Sequence, residues 1–170
     1  MKYIILIFFV VLISCDRNYS PDYTDGFVEL ELNGVSEKLE AKAYKSETEE
    51  SFDLYFYLRT KEEGFQRMVG SIEDINFSLD TNLLSHKFNE DLPYGSCLVT
   101  TGADGDLILD LYNVYDEESS ITITSISENA ELVKGFFSGV YKIDSSSQKV
   151  GVNNPDLYEL KTAQFEVTIK

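Results

Sequence analysis

The sequence predicts an all-β domain, either an antiparallel β-sandwich or a partly closed barrel, assembled mostly from meander hairpins. Three observations carry this. Apolar and polar residues alternate with period two in short runs along most of the chain, as in residues 27–32, Phe-Val-Glu-Leu-Glu-Leu; a half-buried strand produces that pattern. Turn signals separate the runs, and Asn33-Gly34 and Asp104-Gly105 are the strongest, because a two-residue hairpin needs positive φ at its central positions. No stretch has the spacing of a long amphipathic helix. Short strands joined by such turns pair antiparallel and close into sandwiches or barrels.

The first residues follow a different logic. Lys2 precedes the apolar run 3–13, and Leu12-Ile13-Ser14-Cys15 leads into the polar stretch Asp16-Arg17-Asn18-Tyr19-Ser20. This resembles a bacterial lipoprotein signal with its lipobox, which implies cleavage before Cys15 and lipid on its thiol. A transmembrane anchor is the competing reading, but a spanning helix needs roughly 20 apolar residues, and a cleaved signal fits the shorter run. Residues 1–14 are thus expected to be a signal peptide and residues 15–25 a lipidated cysteine with a flexible tether. Pro21 and the lack of periodicity support the tether, with docking of Tyr19 and Tyr23 on the domain as the alternative. Residues 26–170 form one β domain.

Within that domain, Val28, Leu30 and Leu32 share one face of the first strand. After Asn33-Gly34 the return strand, 35–44, puts Leu39, Ala41 and Ala43 on one side. The strand 52–60 segregates Phe52, Leu54, Phe56 and Leu58 from Asp53, Tyr55, Tyr57 and Arg59, and residues 65–72 return. Residues 73–91 are ambiguous between short strands and a helical turn, and Pro93-Tyr94-Gly95 interrupts the pattern. Strands follow at 97–101, 107–112, 121–126 and 132–143. In the last of these Gly135 and Gly139 share a face with Val133, Phe137, Tyr141 and Ile143, which predicts strong bending or close packing under a neighbouring aromatic ring. A polar loop, 144–155, precedes a final strand carrying Ala163, Phe165, Val167 and Ile169.

Charge narrows the partners. The 170 residues carry a formal charge of −16, and removal of Lys2 with the signal takes it to −17. So acidic a surface repels phosphate backbones, which argues against nucleic-acid binding. Anionic headgroups repel it too, so membrane attachment must come from acyl chains at about 0.8 kcal/mol per buried methylene. Of the two cysteines, lipid takes Cys15, and Cys97 then has no intramolecular disulfide partner. The fold must rest on its hydrophobic core, with Cys97 a buried thiol.

Residues 103–106 (Ala-Asp-Gly-Asp), 121–126 (Ile-Thr-Ile-Thr-Ser-Ile) and 133–139 (Val-Lys-Gly-Phe-Phe-Ser-Gly) are similar to the closing hairpins of small lipoproteins from Bacteroidota. There an ITITS strand precedes a GTFSG strand and a phenylalanine-bearing final strand. Phe136 replaces the threonine of the second motif, residues 164–167 match the final strand, and residues 30–34 match the usual opening hairpin. The resemblance implies a β fold of a domain-of-unknown-function type. It supplies no catalytic residues.

Candidate chemistry is sparse. His86 is the sole histidine, and its neighbour Ser85 is not thereby within hydrogen-bond reach, so a hydrolase triad has little to stand on. No nucleophile elbow or phosphate loop is present. Asp106 and Asp110 share a side of one strand, a pairing that a glycosidase would need in a defined geometry, but thirty acidic residues make such coincidences common. Calcium could be held by Asp104, Asp106 and Asp116 if their loops converge; the plainer reading is a hairpin turn and a solvated loop. Tyr55, Tyr57 and Arg59, beside Asp53, form a face able to stack a sugar or engage a protein, although tyrosines also pair across strands for packing alone. The expectation is a membrane-anchored cell-envelope lipoprotein with a non-catalytic binding or structural accessory domain and no cofactor. The outer membrane is its favoured location, and an envelope protein or glycan its partner. A glycan- or calcium-binding surface module, and further off a hydrolase, are the alternatives.

Overall fold

A computed structural model describes residues 20–32, 34–46, 50–59, 66–85, 94–102, 107–114, 119–144 and 156–170; for parts of some strands it describes the backbone alone. Ten strands run β1 (Gly26–Leu32), β2 (Val35–Lys45), β3 (Ser51–Arg59), β4 (Gln66–Asn76), β5 (Thr81–Leu83), β6 (Tyr94–Gly102), β7 (Leu107–Val114), β8 (Ser120–Ile126), β9 (Leu132–Ile143) and β10 (Leu157–Thr168). The all-β expectation holds, and of the two architectures the chain adopts the partly closed barrel. The hydrogen-bonded order is β10-β1-β2-β3-β4-β6-β7-β9-β8-β5, and β10 also pairs with β9. Eight strands therefore complete a ring, with β8 and β5 branching from it.

Strand β9 closes that ring because it has more partners than two edges ordinarily supply. One edge pairs with β10 along nearly its whole length, from Thr168↔Leu132 to Leu157↔Lys142. The other edge is shared. Its first half pairs with β8, from Ile126↔Val133 to Ser120↔Ser138, and its last residues pair with β7 at Tyr112↔Ile143, Asn113↔Lys142 and Val114↔Tyr141. The seam to β7 is short, and beyond it β7 and β8 diverge.

Inward-facing residues follow the alternation read from the sequence. Val28, Leu39, Ala41, Ala43, Phe52, Leu54 and Phe56 are buried, as are Val133, Phe137, Tyr141, Ala163, Phe165 and Val167. Bulges interrupt the pairing register midway along three strands. In β10 Leu160 and Ala163 are both buried, and between them the register slips and Thr162 takes φ 49°. In β4 Ile72 and Ile75 are both buried around Asp74, at φ 56°. In β7 the register slips between Ile108 and Asp110, after which Asp110, Tyr112 and Val114 face inward. An extra residue of this kind bends a strand and raises its twist, which a sheet needs in order to curl closed.

Side chains fill the interior. Phe56 and Phe137 meet across it at 5.3 Å between centroids, and Phe137 meets Phe165 at 6.4 Å. Glycines make room for these rings. Gly70 lies opposite Phe56 in the β3–β4 pairing, and a Cβ there would collide with the Phe56 ring. Gly135 lies opposite Phe165, with its ring 2.7 Å from where a Cβ would be. The glycine-bearing face of β9 thus packs under aromatic rings, as expected.

Several boundaries differ from expectation. Strand β4 runs on to Asn76, and β10 begins at Leu157 rather than near residue 163; the bulges at Asp74 and Thr162 break the period-two signal and hide the continuation. Tyr94 and Gly95, expected to interrupt the pattern, lie within β6. The ambiguous region contributes the end of β4 and the three-residue β5, with residues 86–91 outside the described set. After Asn33-Gly34 the hairpin closes as expected, with Leu32 paired to Val35 and Gly34 at φ 80°.

Replacing Gly70 by Ala is expected to destabilise the fold by about 1–3 kcal/mol through overpacking. Phe56→Leu in the same chain should recover part of that loss, since the two positions share one space. Urea midpoints of the two single variants and the double variant check this; strict additivity would contradict the packing described.

Candidate functional site

Because Leu54 and Phe56 point inward, Asp53, Tyr55 and Tyr57 of β3 point outward, onto the convex wall. Register places them opposite outward residues of β2: Tyr44 faces Asp53, Lys42 faces Tyr55, and Glu40 faces Tyr57. The rings of Tyr44 and Tyr55 meet edge-on at 6.1 Å, an arrangement contributing roughly 0.5–1.5 kcal/mol beyond burial. Arg59, the third residue of the expected face, ends β3 opposite Gln66; its side chain lies outside the described set. Tyr44 was not foreseen as part of this face, although the inward Ala41 and Ala43 already force it outward.

The same wall continues over β1. Phe27 pairs with Glu40, so Glu40, though on the outer face, is buried between Phe27 and Tyr57 positions, with Lys42 Nζ 3.8 Å from its carboxylate. Lys38 bonds Glu29 at 3.1 Å and holds its ammonium over the Phe27 ring at 3.6 Å and the Tyr23 ring at 5.3 Å, a contact of about 0.5–1 kcal/mol at an exposed site. Tyr23 Oη donates to the Lys38 carbonyl at 3.2 Å. Just before it, the Asp22 carboxylate accepts from Thr24 N at 3.0 Å and Thr24 Oγ1 at 2.8 Å, and these bonds hold its pKa below the usual carboxylate value. The end of the expected tether is therefore seated on β2, as the docking alternative for Tyr23 had it.

The C-terminus reaches the same corner. Ile169 bridges Ala43 in parallel, the Lys45 amide donates to the Lys170 carbonyl at 3.0 Å, and the Lys170 amide donates to the Ala43 carbonyl at 3.1 Å. Lys170 Nζ bonds Asp25 at 2.6 Å. That bond, aided by the charges of Asp25, Tyr44 and Asp22, raises the lysine's pKa.

On the β3–β4 side an acidic group borders the tyrosines. Asp53 Oδ1 accepts from the Asp74 amide at 3.0 Å, and Ser51 Oγ donates to Asp74 Oδ1 at 3.2 Å. Beside them, partial burial first, and then the charges of Asp53 and Asp74, push the Glu73 carboxyl up.

A second polar group lies inside the barrel. Asp110 is 1% exposed, and the rings of Tyr112 and Tyr158 stand 4.9 Å apart beside it. Burial first, then neighbouring Tyr158, Asp110 and Asp156, raises the Tyr112 phenol; burial and then Asp110 raise that of Tyr158. The sequence placed Asp110 beside Asp106 as a possible carboxylate pair, and Asp106 lies outside the described set.

Other expected sites fall as follows. Cys15, His86, Asp104, Asp106 and Asp116 lie outside the described residues. Ser85 is buried. Cys97 sits in β6 opposite Ser71 and Asn113. Among the described residues no group of three or more His, Cys, Asp or Glu side chains is placed to hold a metal ion. An open cavity of about 220 Å³ lies on the outer surface beside the β1–β2 turn, lined by Glu31, Gly34, Leu157, Glu159 and Lys161. Lys161 and Glu159 approach to 3.7 Å there, both largely solvent-exposed, so their attraction is screened and weak. No family model, curated protein or solved structure matches this chain. Function must be read from the residues.

Glu73 gives a pH test. A carboxyl whose pKa is raised by folding favours the protonated form, so its contribution is fully present below the ordinary value of 4.5 and is lost as pH rises through the folded value. Glu73→Gln is expected to raise the urea midpoint at pH 7 and leave it nearly unchanged at pH 4. An equal gain at both pH values would contradict the charge account.

Proposed function

We propose that this chain is a bacterial cell-envelope lipoprotein, anchored through lipid on Cys15, whose barrel serves as a non-catalytic binding or structural accessory domain. The observation that carries this reading is the succession of Leu12-Ile13-Ser14-Cys15, a short polar stretch, and a β domain beginning at Gly26. The domain comes directly after its anchor with no room for another folded unit between them. The similarity of residues 103–139 to Bacteroidota lipoproteins supports the same reading and favours the outer membrane.

The geometry supports contact through the outer wall. Phe56, Phe137 and Phe165 occupy the barrel interior, where a barrel of the ligand-carrying kind would leave space. Tyr55 and Tyr57 stand on a convex surface, a shape suited to meeting a broad surface and less suited to enclosing a sugar. The acidic balance of the chain argues against nucleic acid as that partner.

Mass spectrometry of the protein purified from a lipoprotein-processing host tests the anchor. The mature chain is expected to begin at Cys15 and carry acyl mass, and Cys15→Ser is expected to leave the membrane fraction nearly completely. A soluble chain with a free Cys15 thiol would refute the anchor, and antibody labelling of intact cells reads surface display directly.

A further inference from the structure

The corner where the tether meets the barrel differs from the rest of this acidic molecule. Lys38, Lys42, Lys45 and Lys170 gather there, four of the fourteen basic residues in a chain of net charge −16. Against them stand four carboxylates, Asp22, Asp25, Glu29 and Glu40, three of which bond a lysine of the group. These eight charges cancel; at the rim Glu166, opposite Phe27, is bonded to Lys134, and Asp53, opposite Tyr44, adds one negative charge. It also displays aromatic rings: Tyr23 and Tyr44 are 37% and 40% exposed, and the Lys38 ammonium lies over the rings of both Phe27 and Tyr23. Tyrosine rings and long lysine stems favour the headgroup level of a bilayer, where one end of the side chain is apolar and the other wet.

Geometry brings this corner to the membrane. Tyr23 is seated on β2, so the lipid on Cys15 and this seat are separated by no more chain than runs from Cys15 to Tyr23. Those eight residues span at most about 26–29 Å when fully extended. A domain of this size has a radius of gyration near 15 Å and a width of roughly 40 Å. The point of entry is therefore held closer to the bilayer than the domain is wide.

We propose that the corner formed by Tyr23, Phe27, Lys38, Lys42, Tyr44 and Lys170 rests on the phospholipid headgroups, so that the barrel is held in one orientation with the opposite wall facing away. This rests on lipid attachment at Cys15. Tyrosines and lysine stems enter the headgroup layer, and the paired carboxylates remove the repulsion that the remaining surface would meet there. Asp53, Glu73 and Asp74 border the patch on β3–β4, so the contact tilts toward β1 and the C-terminus.

The chain contains no tryptophan, so a single introduced one reports alone. The full chain is produced as an acylated protein in three variants, Tyr23→Trp, Tyr44→Trp and Phe136→Trp, and reconstituted in phosphatidylcholine vesicles carrying a headgroup-level quencher. Phe136 is the control: it is 39% exposed and lies on β9, three strands around the ring from β2, which carries Tyr44. Quenching of the Tyr23→Trp and Tyr44→Trp proteins is expected to be about threefold stronger than that of the Phe136→Trp protein, as for side chains lying at the interface. If loss of the Tyr23 hydroxyl disturbs its seat, the Tyr44 variant still decides. Equal quenching at all three positions, or the strongest at Phe136, overturns the orientation while leaving the anchor intact. Shielding at Tyr44 that depends on protein density and not on the quencher would assign the corner to a second copy and overturn the proposal. A chain lacking acyl mass overturns both the anchor and the orientation.

Discussion

The double engagement of β9 is the constraint on which the structure depends. A curled antiparallel sheet has two ends, and here both meet on this strand: β10 along one edge, β7 and β8 sharing the other. Backbone pairing alone would not bring them together, because the ring has to close around side chains of fixed volume. Gly135 is the point of compromise. Its missing Cβ lets the Phe165 ring lie against the β9 backbone, and Phe165 in turn supports Phe137, which meets Phe56 from the opposite wall. Closure and filling are thus one arrangement. Under the proposed lipidation of Cys15, Cys97 is left without a disulfide partner in the chain, and that packing has to supply the stability that a disulfide provides in many secreted domains.

Most of this was legible because the physics is local. Period-two alternation identified the inward sets of β1, β2, β3 and β9, and Asn33-Gly34 located the first hairpin. What could not be read were the phase changes. The bulges at Asp74 and Thr162 place a residue in a left-handed conformation; aspartate is one of the side chains enriched there, but it is common throughout this acidic chain, and a β-branched threonine gives no signal at all. The continuation of β4 and the start of β10 were lost for that reason. Strand order was equally hidden: β4 passes β5 to pair with β6, a choice made by the shape of the closed sheet.

The candidate site divides the same way. Tyr55 and Tyr57 could be assigned to an outward face from their own strand, but their neighbours Tyr44, Lys42 and Glu40 depend on the β2–β3 register. Tyr23 seats on a residue fifteen positions away, and the crossing of Ile169 and Lys170 to β2 joins segments more than a hundred residues apart, both beyond any sequence periodicity. These long-range contacts make the two termini and β2 into one corner. In the anchored protein we propose, that corner sets the approach of the domain to whatever carries the anchor and leaves the acidic walls facing outward.

Hydrogen exchange of the mature protein, resolved to single strands by mass spectrometry, tests the central claim most directly. If the ring closes through β9, amides of residues 133–143 exchange only on global unfolding. Those of the three-residue edge strand β5, paired on one side with β8, then exchange orders of magnitude faster. Exchange of β9 at the rate of β5 would mean that the sheet is open at that strand, and would contradict the account.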